Sequence, residues 1–486
     1  MFSIPGRTIV IGLDGVSWGV LHYLFGNSAM PFLRTKVFDE DTRKAIMKST
    51  IPPWTPLAWN SIASGVNPGK HGVFSFHKVQ KLEDKFVTRL VTGYDIKYPR
   101  IHEMAAMLGL NAIVVNIPAS YPPESSVCKP GKCIVVNDWA APSIRIYPNE
   151  LEGKYLHYFA SSLEGLKLKG SSPSAVESIA RRARLFGEGV LKLLTNHDWD
   201  VAFMIFSETD WVMHDNPAFV AGEKLMPTAK VFNIVDEFIK RYSELADNVV
   251  IVSDHGFSVC QYMINIPFFL RKEGIMDVTF DESMELKIMG VRVPPKLIKF
   301  VRKRKKLAAL AHKIMGAVQK EYMRDRVIPY SRAKAIMPDA GIIYCAPRYE
   351  EEVLNALKKI PEVREVIRSS DIYWGPHLSE APDYIVIPCN DYCVSVGKDK
   401  PRTERNTAHH RDGIMIAWGK DVSKLTWKEI FNPWDVGTYA IALAGMPTPK
   451  NADGFTPTKE HKTYNYLIKW RVARKARKIK KVTQNN

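Results

Sequence analysis

The chain has 486 residues, of which 46% are hydrophobic and 24% are charged, a composition that excludes a disordered chain and fits a folded protein with a large core. The length allows two or three domains, or one large α/β domain with an insertion. No apolar run reaches the roughly 20 residues that a transmembrane helix needs, and the N-terminal residues enter a strand pattern without the layout of a signal peptide. We therefore expect a cytoplasmic protein without a transmembrane helix.

The net charge of +17 lies in two segments. Residues 292–306 contain eight Lys or Arg and no acid, and residues 462–486 contain nine and no acid. We expect a basic helical insertion or cap at 271–324 and a basic C-terminal tail at 461–486. Either segment could contact nucleic acid or an anionic membrane peripherally. Leu467 and Trp470, which lie among the cations of the tail, favour a membrane, and a solvated tail is the alternative.

Six cysteines are too few for a disulfide framework in a chain of this length. Two pairs are close in sequence, Cys128 with Cys133 and Cys389 with Cys393, but neither has the CxxC spacing of zinc ligands. We expect scattered, half-buried thiols.

Continuous apolar runs recur along the chain and end in small or polar residues. They lie at 8–15, 111–120, 200–210, 248–257 and 413–419, with helix-like stretches such as 173–195 and 228–245 between them. Such runs are typical of strands buried on both faces of a mainly parallel sheet. The pattern predicts an α/β fold, a doubly wound sheet sandwiched by helices, whose core comprises 1–270 and 325–460.

The stretch IPPWTPLAWNSIASGVNPGKHG at 51–72 places the hydroxyl of Thr55 between a Trp and a Pro, ahead of a helix-like run to Gly65. It is either a turn before a buried helix or a nucleophile presented to a substrate. Trp54 and Trp59 flank the hydroxyl, and they either stack on a base or sugar or belong to the packing.

Acidic residues follow three of the apolar runs. Asp14 follows the first run, Asp210 the third, and Asp254 with His255 the fourth. In open α/β sheets the reactive groups gather beyond the carboxyl ends of the strands, so we expect these side chains to share one site. The alternatives are that Asp14 caps the next helix and that Asp254 and His255 form a polar loop.

Two further histidines extend this set. His214 lies four residues after Asp210, which places both on one face of a helix, and His409 lies in the run NTAHHRDG. Three carboxylates, two or three imidazoles and one threonine form an oxygen and nitrogen ligand set suited to two zinc-like ions roughly 4 Å apart. Such a pair stabilises the attacking and leaving oxygens of a displacement at phosphorus.

The motifs GLDG, TPLAWNSIASGVNPGKHG, DWVMH, SDHGF and HHRDG follow one another between residue 8 and about residue 420. This order resembles the alkaline phosphatase superfamily and, within it, the type I phosphodiesterase and nucleotide pyrophosphatase family. The resemblance implies an alkaline phosphatase-like catalytic core and a hydrolase that cleaves phosphodiester or pyrophosphate bonds through a phosphothreonine on Thr55. The substrate would be a small phosphate ester, a nucleotide or a lipid-linked phosphate.

The resemblance also implies the ligands of two divalent metal ions, Zn²⁺ by expectation, with Mn²⁺ also acceptable. The first ion would be held by Asp14, Asp254, His255 and the oxygen of Thr55, and the second by Asp210, His214 and His409. His409 is chosen over His410 because the family places its histidine three residues before an acid, here Asp412.

Asn60 is a candidate for gripping the phosphate, although its spacing from Thr55 departs from the family pattern, and an Asn that faces its own helix is the alternative. Two other functions remain open, a phosphomonoesterase of the same superfamily and a membrane- or nucleic-acid-binding protein on a degenerate phosphatase-like core.

Overall fold

The computed structural model describes residues 6–123, 125–160, 172–214, 216–276, 325–395, 402–458 and 462–484. The strands are β1 Thr8–Leu13, β2 Arg43–Lys48, β3 His77–Lys81, β4 Lys85–Leu90, β5 Ala112–Val115, β6 Cys133–Val136, β7 Ile146–Tyr147, β8 Val201–Phe206, β9 Asn248–Val252, β10 Gly256–Asn265, β11 Arg326–Pro329, β12 Ala335–Ile336, β13 Ile342–Cys345, β14 Val363–Arg368, β15 Tyr384–Pro388, β16 Tyr392–Ser395, β17 Arg402–His410, β18 Asp412–Gly419, β19 Ile430–Phe431, β20 Thr448–Pro449 and β21 Thr463–Tyr464. The helices are α1 Trp18–Gly26, α2 Pro31–Phe38, α3 Thr55–Ser64, α4 Pro68–His71, α5 Ile101–Met107, α6 Glu152–Ala160, α7 Pro173–Asn196, α8 Glu208–His214, α9 Pro217–Val220, α10 Ala229–Ser243, α11 Ile266–Lys272, α12 Glu350–Lys358, α13 Ser369–Ile372, α14 Pro433–Leu443 and α15 Tyr466–Gln484.

Nine strands form the central sheet, in the order β19-β2-β18-β9-β1-β8-β5-β6-β7. The inner strands β9, β1, β8, β5 and β6 are all parallel to one another. In β1, Leu13 is opposite Phe206 of β8, and Gly12 is opposite Val252 of β9. The carboxyl ends of these three strands therefore meet at one edge of the sheet, as the sequence predicts.

Helices cover both faces of the central sheet. Along β8, Met204 and Phe206 pack with helices α1, α2, α7 and α10, whereas Phe203 and Ile205 pack with α3, α5, α14 and α15. Side chains of a strand alternate between the two faces, so a strand covered on both sides must be apolar throughout. This explains the continuous apolar runs and confirms the doubly wound α/β fold.

A second lobe has a hydrophobic core of its own. It is built from β3 and β4, from β10 and α11, and from the segment 326–395, and it contains the four-stranded sheet β12-β13-β15-β14. Part of the predicted core at 325–460 therefore lies outside the central sheet. The basic insertion predicted at 271–324 falls, apart from residues 271–276, outside the described residues and stays a prediction.

Four of the six cysteines form disulfides, so the expectation of scattered thiols is wrong for them. Cys128 pairs with Cys133, and Cys260 pairs with Cys393, with Cα atoms 5.5 and 5.9 Å apart. The second bond joins residues 133 positions apart, which become neighbours because β10 pairs with β16. Cys389, which is close to Cys393 in sequence, has a free thiol.

The basic tail begins as a helix that packs on the protein. In α15, Tyr466 and Trp470 are buried in the core beside α5. The Trp470 indole donates a hydrogen bond to Glu103, 2.9 Å away. Trp470 is therefore not an exposed membrane anchor, and the prediction that it favours membrane contact is wrong. Within the described ranges, no helix is long and apolar enough to cross a membrane.

Candidate active site

The predicted site residues gather at the carboxyl edge of the central sheet. Asp14 comes directly after β1, where Gly15 adopts φ 76° and lets the chain turn sharply. The alternative role of Asp14 as a helix cap is wrong, because the Ser17 hydroxyl caps α1 by accepting from the Val20 amide.

Thr55 is the first residue of α3, and Pro56 in the first turn suits a helix start because it needs no hydrogen-bond acceptor there. Its side chain reaches the surface only slightly, with the residue 5% exposed, and its Oγ1 lies 3.4 Å from Nε2 of His255. The helix ends at Gly65, which has φ 73°. The hydroxyl is thus held at the positive end of a buried helix and directed at the acidic cluster.

Asp14, Asp254 and His255 form the first group. The His255 Nε2 atom lies 3.6 Å from an oxygen of Asp14 and 3.4 Å from one of Asp254. All three side chains are buried, yet Asp14 Oδ1 and Asp254 Oδ2 have no hydrogen-bond partner among the described atoms. Buried ionisable oxygens without partners are costly, and a bound cation would compensate them.

Asp210, His214 and His409 form the second group. Asp210 and His214 share one face of α8, with Oδ2 and Nε2 3.2 Å apart. The His409 Nε2 atom lies 3.5 Å from Asp210 Oδ1 and 3.2 Å from the His214 Nε2 atom. His410 is exposed, and its Nδ1 accepts from the Asp412 amide, so His409 is the histidine that faces the site.

The two groups meet at His255. Its Nε2 lies 4.0 Å from Asp210 Oδ1, and one ligand atom from each of Asp210, His255 and His409 lies within 4.8 Å of the others. The same holds for Asp14, Asp254 and His255. His214, with a side chain that is 45% exposed, lies at the outer rim.

Backbone carbonyls set the tautomer of two histidines. The Nδ1 atom of His255 is 3.1 Å from the Gly256 carbonyl, and that of His409 is 3.0 Å from the Pro53 carbonyl. A carbonyl only accepts, so each Nδ1 carries the proton and each Nε2 presents a lone pair to the carboxylates. This is the orientation in which histidine binds a metal, and the donor set fits two divalent cations.

Burial makes the charges of the cluster costly. Burial and the neighbouring carboxylates raise the pKa of Asp14 well above its usual value, and burial raises the pKa of Asp254 to about 8. Burial opposes ionisation of Asp210 too, but His214 and His409 hold its pKa below the usual value. Burial, and then His409, lower the pKa of His255. A neutral His255 imidazole beside crowded carboxylates is the state that a divalent cation stabilises.

The predicted substrate contacts of Trp59 and Asn60 are wrong because neither residue has any exposed surface. The Trp59 ring packs against Phe203 in the core. The Asn60 amide donates to the carbonyls of Pro56 and Pro118, at 2.8 and 3.2 Å. A helix-facing Asn was the alternative, and it is correct.

Trp54 keeps a partly exposed ring beside the site. The ring packs edge-on against His409, with centroids 5.5 Å apart. It thereby helps to orient a metal-ligand candidate, and a substrate contact stays a prediction.

An apolar pocket next to Thr55 was missed by the sequence reasoning. Pro56, Phe76 and Trp139 border it. The two rings belong to an aromatic row from Trp54 to Phe76, Trp139 and Trp211, with successive centroids 6.1, 6.2 and 5.4 Å apart. The described lining residues include no Lys or Arg. The aromatic residues come from four distant segments, so no local pattern could have revealed the row.

Comparison with known proteins bears on this site. The family model of type I phosphodiesterase / nucleotide pyrophosphatase matches residues 8–411. A comparison with curated protein sequences finds no significant match.

Three solved structures are similar to the chain in fold. A phosphonoacetate hydrolase from Sinorhizobium meliloti 1021 is 13% identical with a TM-score of 0.55, over 91% of this chain and 97% of that one. Murine ectonucleotide pyrophosphatase / phosphodiesterase 5, in an inactive form with AMP, is 13% identical with a TM-score of 0.54, over 92% of this chain and 97% of that one. Alkaline phosphatase PafA is 13% identical with a TM-score of 0.55, over 95% of this chain and 100% of that one.

The family match spans four of the five motifs and reaches into the fifth, and the similar structures share the alkaline phosphatase-like fold. The chain belongs to the type I phosphodiesterase / nucleotide pyrophosphatase family and is a phosphoric ester hydrolase.

Proposed function

We propose that the protein cleaves phosphodiester or pyrophosphate bonds with Thr55 as the nucleophile at a site for two divalent metal ions. One observation carries the proposal: buried carboxylate oxygens without partners and proton-free imidazole nitrogens converge beside one buried hydroxyl. A structural role for such a cluster would leave its charges uncompensated.

The chain's own residues have defined tasks in this reaction. The Thr55 oxygen lies 3.4 Å from Nε2 of His255, so the nucleophile is next to a ligand of the first metal set. The Thr55 oxygen attacks phosphorus and its proton passes to solvent, while the ester bond to the leaving alcohol or phosphate breaks and the leaving oxygen takes a proton from solvent. Water then hydrolyses the phosphothreonine. The N-terminus of α3 favours the negative phosphoryl group.

The metals would be held by the six predicted carboxylate and imidazole ligands, with the Thr55 oxygen completing the first set. Bound there, two divalent ions would lower the pKa of the hydroxyl and neutralise charge that develops on the phosphoryl oxygens. Both Zn²⁺ and Mn²⁺ suit a mixed oxygen and nitrogen set, and we propose Zn²⁺ first because of the imidazoles.

The pocket favours a diester over a monoester. A monoester is close to doubly charged at neutral pH, whereas a diester carries a single charge, and the described pocket lining offers no cation for the extra charge. Pro56, Phe76 and Trp139 would instead contact an apolar or aromatic group of the substrate. The AMP in the murine neighbour agrees with a nucleotide-like substituent.

The test uses the full chain, loaded in turn with Zn²⁺ and Mn²⁺, on bis-p-nitrophenyl phosphate and p-nitrophenyl phosphate. We expect turnover of the diester that EDTA abolishes, and two bound metals per chain by elemental analysis. Thr55→Ala should remove turnover, whereas Thr35→Ala, at an exposed threonine of α2, should not.

Unchanged diester cleavage in Thr55→Ala would refute the nucleophile. Preference for the monoester would favour the phosphomonoesterase alternative. Failure to bind metal would favour a degenerate core, against which the complete and convergent ligand set argues.

A further inference from the structure

We propose that the exposed face of α15 binds an anionic membrane surface. This outer face consists of Ile468, Lys469, Arg471, Val472 and Lys475, all exposed. At about 100° per residue these positions cover one side of the helix, opposite the buried Tyr466 and Trp470.

The outer face has apolar residues at its centre and cations around them. Ile468 and Val472 are one helical turn apart and are 61% and 64% exposed, among the largest exposures of apolar side chains in the described chain. Lys469 and Arg471 lie on either side of this pair, and Lys475 lies one turn further along. An apolar strip between cations is the arrangement with which a helix lies in the plane of an anionic membrane.

Two cations of this face, Arg471 and Lys475, are available to a ligand, whereas Lys469 Nζ donates to the Met107 carbonyl at 2.8 Å. Within the described ranges, Arg471 and Lys475 have no ion-pair partner, and the sequence continues with four more cations in residues 477–481. Arg474, by contrast, points inward: it stacks over Trp470 at 4.4 Å and donates to the Ile96 carbonyl at 2.7 Å. The helix is therefore fixed to the protein by one face while the other is left to solvent.

The position of α15 connects the outer face to the pocket. Arg474 also donates to the Tyr94 carbonyl at 3.2 Å, and the neighbouring Gly93 amide donates to Tyr121 at 2.7 Å. Tyr121 and Thr92 line the apolar pocket. The inner face of α15 is therefore joined to the pocket through residues 92–94. A link between docking and substrate access rests on the proposed function, whereas the docking itself does not.

A membrane fits this face better than nucleic acid. Single-stranded nucleic acid is bound by exposed aromatic rings, but Tyr466 and Trp470 are only 1% and 4% exposed. Duplex nucleic acid is bound through phosphates and gains little from an aliphatic pair at the centre of the contact.

The test measures co-sedimentation of the full chain with phosphatidylcholine vesicles with and without phosphatidylserine. We expect binding only to the phosphatidylserine vesicles, weakened by salt. Arg471→Gln with Lys475→Gln should weaken it roughly 30-fold, because each cation near an anionic surface contributes about 1 kcal/mol. Ile468→Ser with Val472→Ser should weaken it roughly tenfold.

Matched controls come from exposed residues elsewhere. Arg181→Gln with Lys192→Gln on α7, and Val327→Ser with Ile430→Ser, make the same chemical changes and should bind as the wild type. Thr55→Ala should also bind vesicles as the wild type does, so that a failure of the docking proposal can be distinguished from a failure of the proposed function.

Three outcomes overturn the proposal. The first is equal binding to both kinds of vesicle. The second is vesicle binding that neither α15 double variant weakens. The third is binding to an oligonucleotide but not to vesicles, reduced only by the Arg471 and Lys475 changes.

Discussion

The active-site edge and the outer face of α15 both gather ionisable side chains, but the edge buries them and the outer face exposes them. At the edge, Asp14, Asp210 and Asp254 are buried and crowd against one another. On α15, Arg471 and Lys475 are spread over a solvated helix. Buried like charges destabilise a fold unless a ligand compensates them, whereas exposed charges cost little. The active-site edge therefore requires a bound ligand for its stability, whereas the outer face of α15 is stable with or without one.

The largest expected effect is at the edge. Thr55→Ala removes the attacking oxygen, and we expect diester turnover to fall by about 10⁴-fold or more because the remaining groups can only bind and polarise the substrate. Steady-state kinetics with Zn²⁺-loaded protein measures this. Retention of two metals and an unchanged melting temperature would show that the loss is chemical, and a fall of less than tenfold would contradict the role of Thr55.

A second prediction concerns stability without metal. Burial raises the pKa of Asp254, so without metal this carboxyl must give up its charge on folding. Asp254→Asn removes that cost, and in EDTA we expect this variant to be more stable than the wild type by about 1–2 kcal/mol. With Zn²⁺ the order should reverse, because the variant loses a ligand. Chemical denaturation in both conditions measures the free energy of unfolding. Asp41→Asn, at an exposed carboxylate, should change neither free energy of unfolding. If Asp254→Asn were less stable than the wild type in EDTA, the prediction would be contradicted.

At the contact between α5 and α15, the buried charges are paired. There Arg100 and Glu103 accompany His102, and burial and then Arg100 lower the pKa of His102 to about 3. Below pH 6.5 the unfolded chain binds a proton that folded His102 does not. This histidine therefore costs about 1.4 kcal/mol of stability per pH unit as the pH falls from 6.5 towards 3.

His102→Leu should flatten the pH dependence of the unfolding free energy by that slope, measured by denaturation between neutral pH and pH 5. His22→Leu, at an exposed histidine, should keep the wild-type slope. Identical slopes for all three proteins would show that His102 is protonated in the fold.

The smallest effect is expected on α15. Arg471→Gln with Lys475→Gln should change the free energy of unfolding by less than about 0.5 kcal/mol, because neither cation has an ion-pair partner among the described residues. A larger loss in chemical denaturation would mean that the outer face supports the fold and is not left for a ligand.

The predicted cytoplasmic location stays a prediction. The disulfides Cys128–Cys133 and Cys260–Cys393 are the structural feature that bears on it, since disulfides persist mainly in oxidising compartments. Mass spectrometry of the alkylated protein from its native source would establish whether these four thiols are oxidised.

The strands, the sheet type and the convergence of the acidic residues can all be predicted from local sequence patterns. Apolar runs predict buried parallel strands because the periodicity and the length of a run are local properties of the sequence. Asp14 and Asp254 are then expected to meet, because parallel strands end at one edge of the sheet. The pairing of Asp210 with His214 followed from helix geometry alone.

Which side of each helix faces the core depends on tertiary packing. Packing buried Trp59, Asn60 and Trp470, and it left Ile468 and Val472 outside. Pairing of distant strands joined Cys260 to Cys393, and four separate segments assembled the aromatic row beside Thr55. These outcomes depend on contacts between residues far apart in the chain, which no local pattern records.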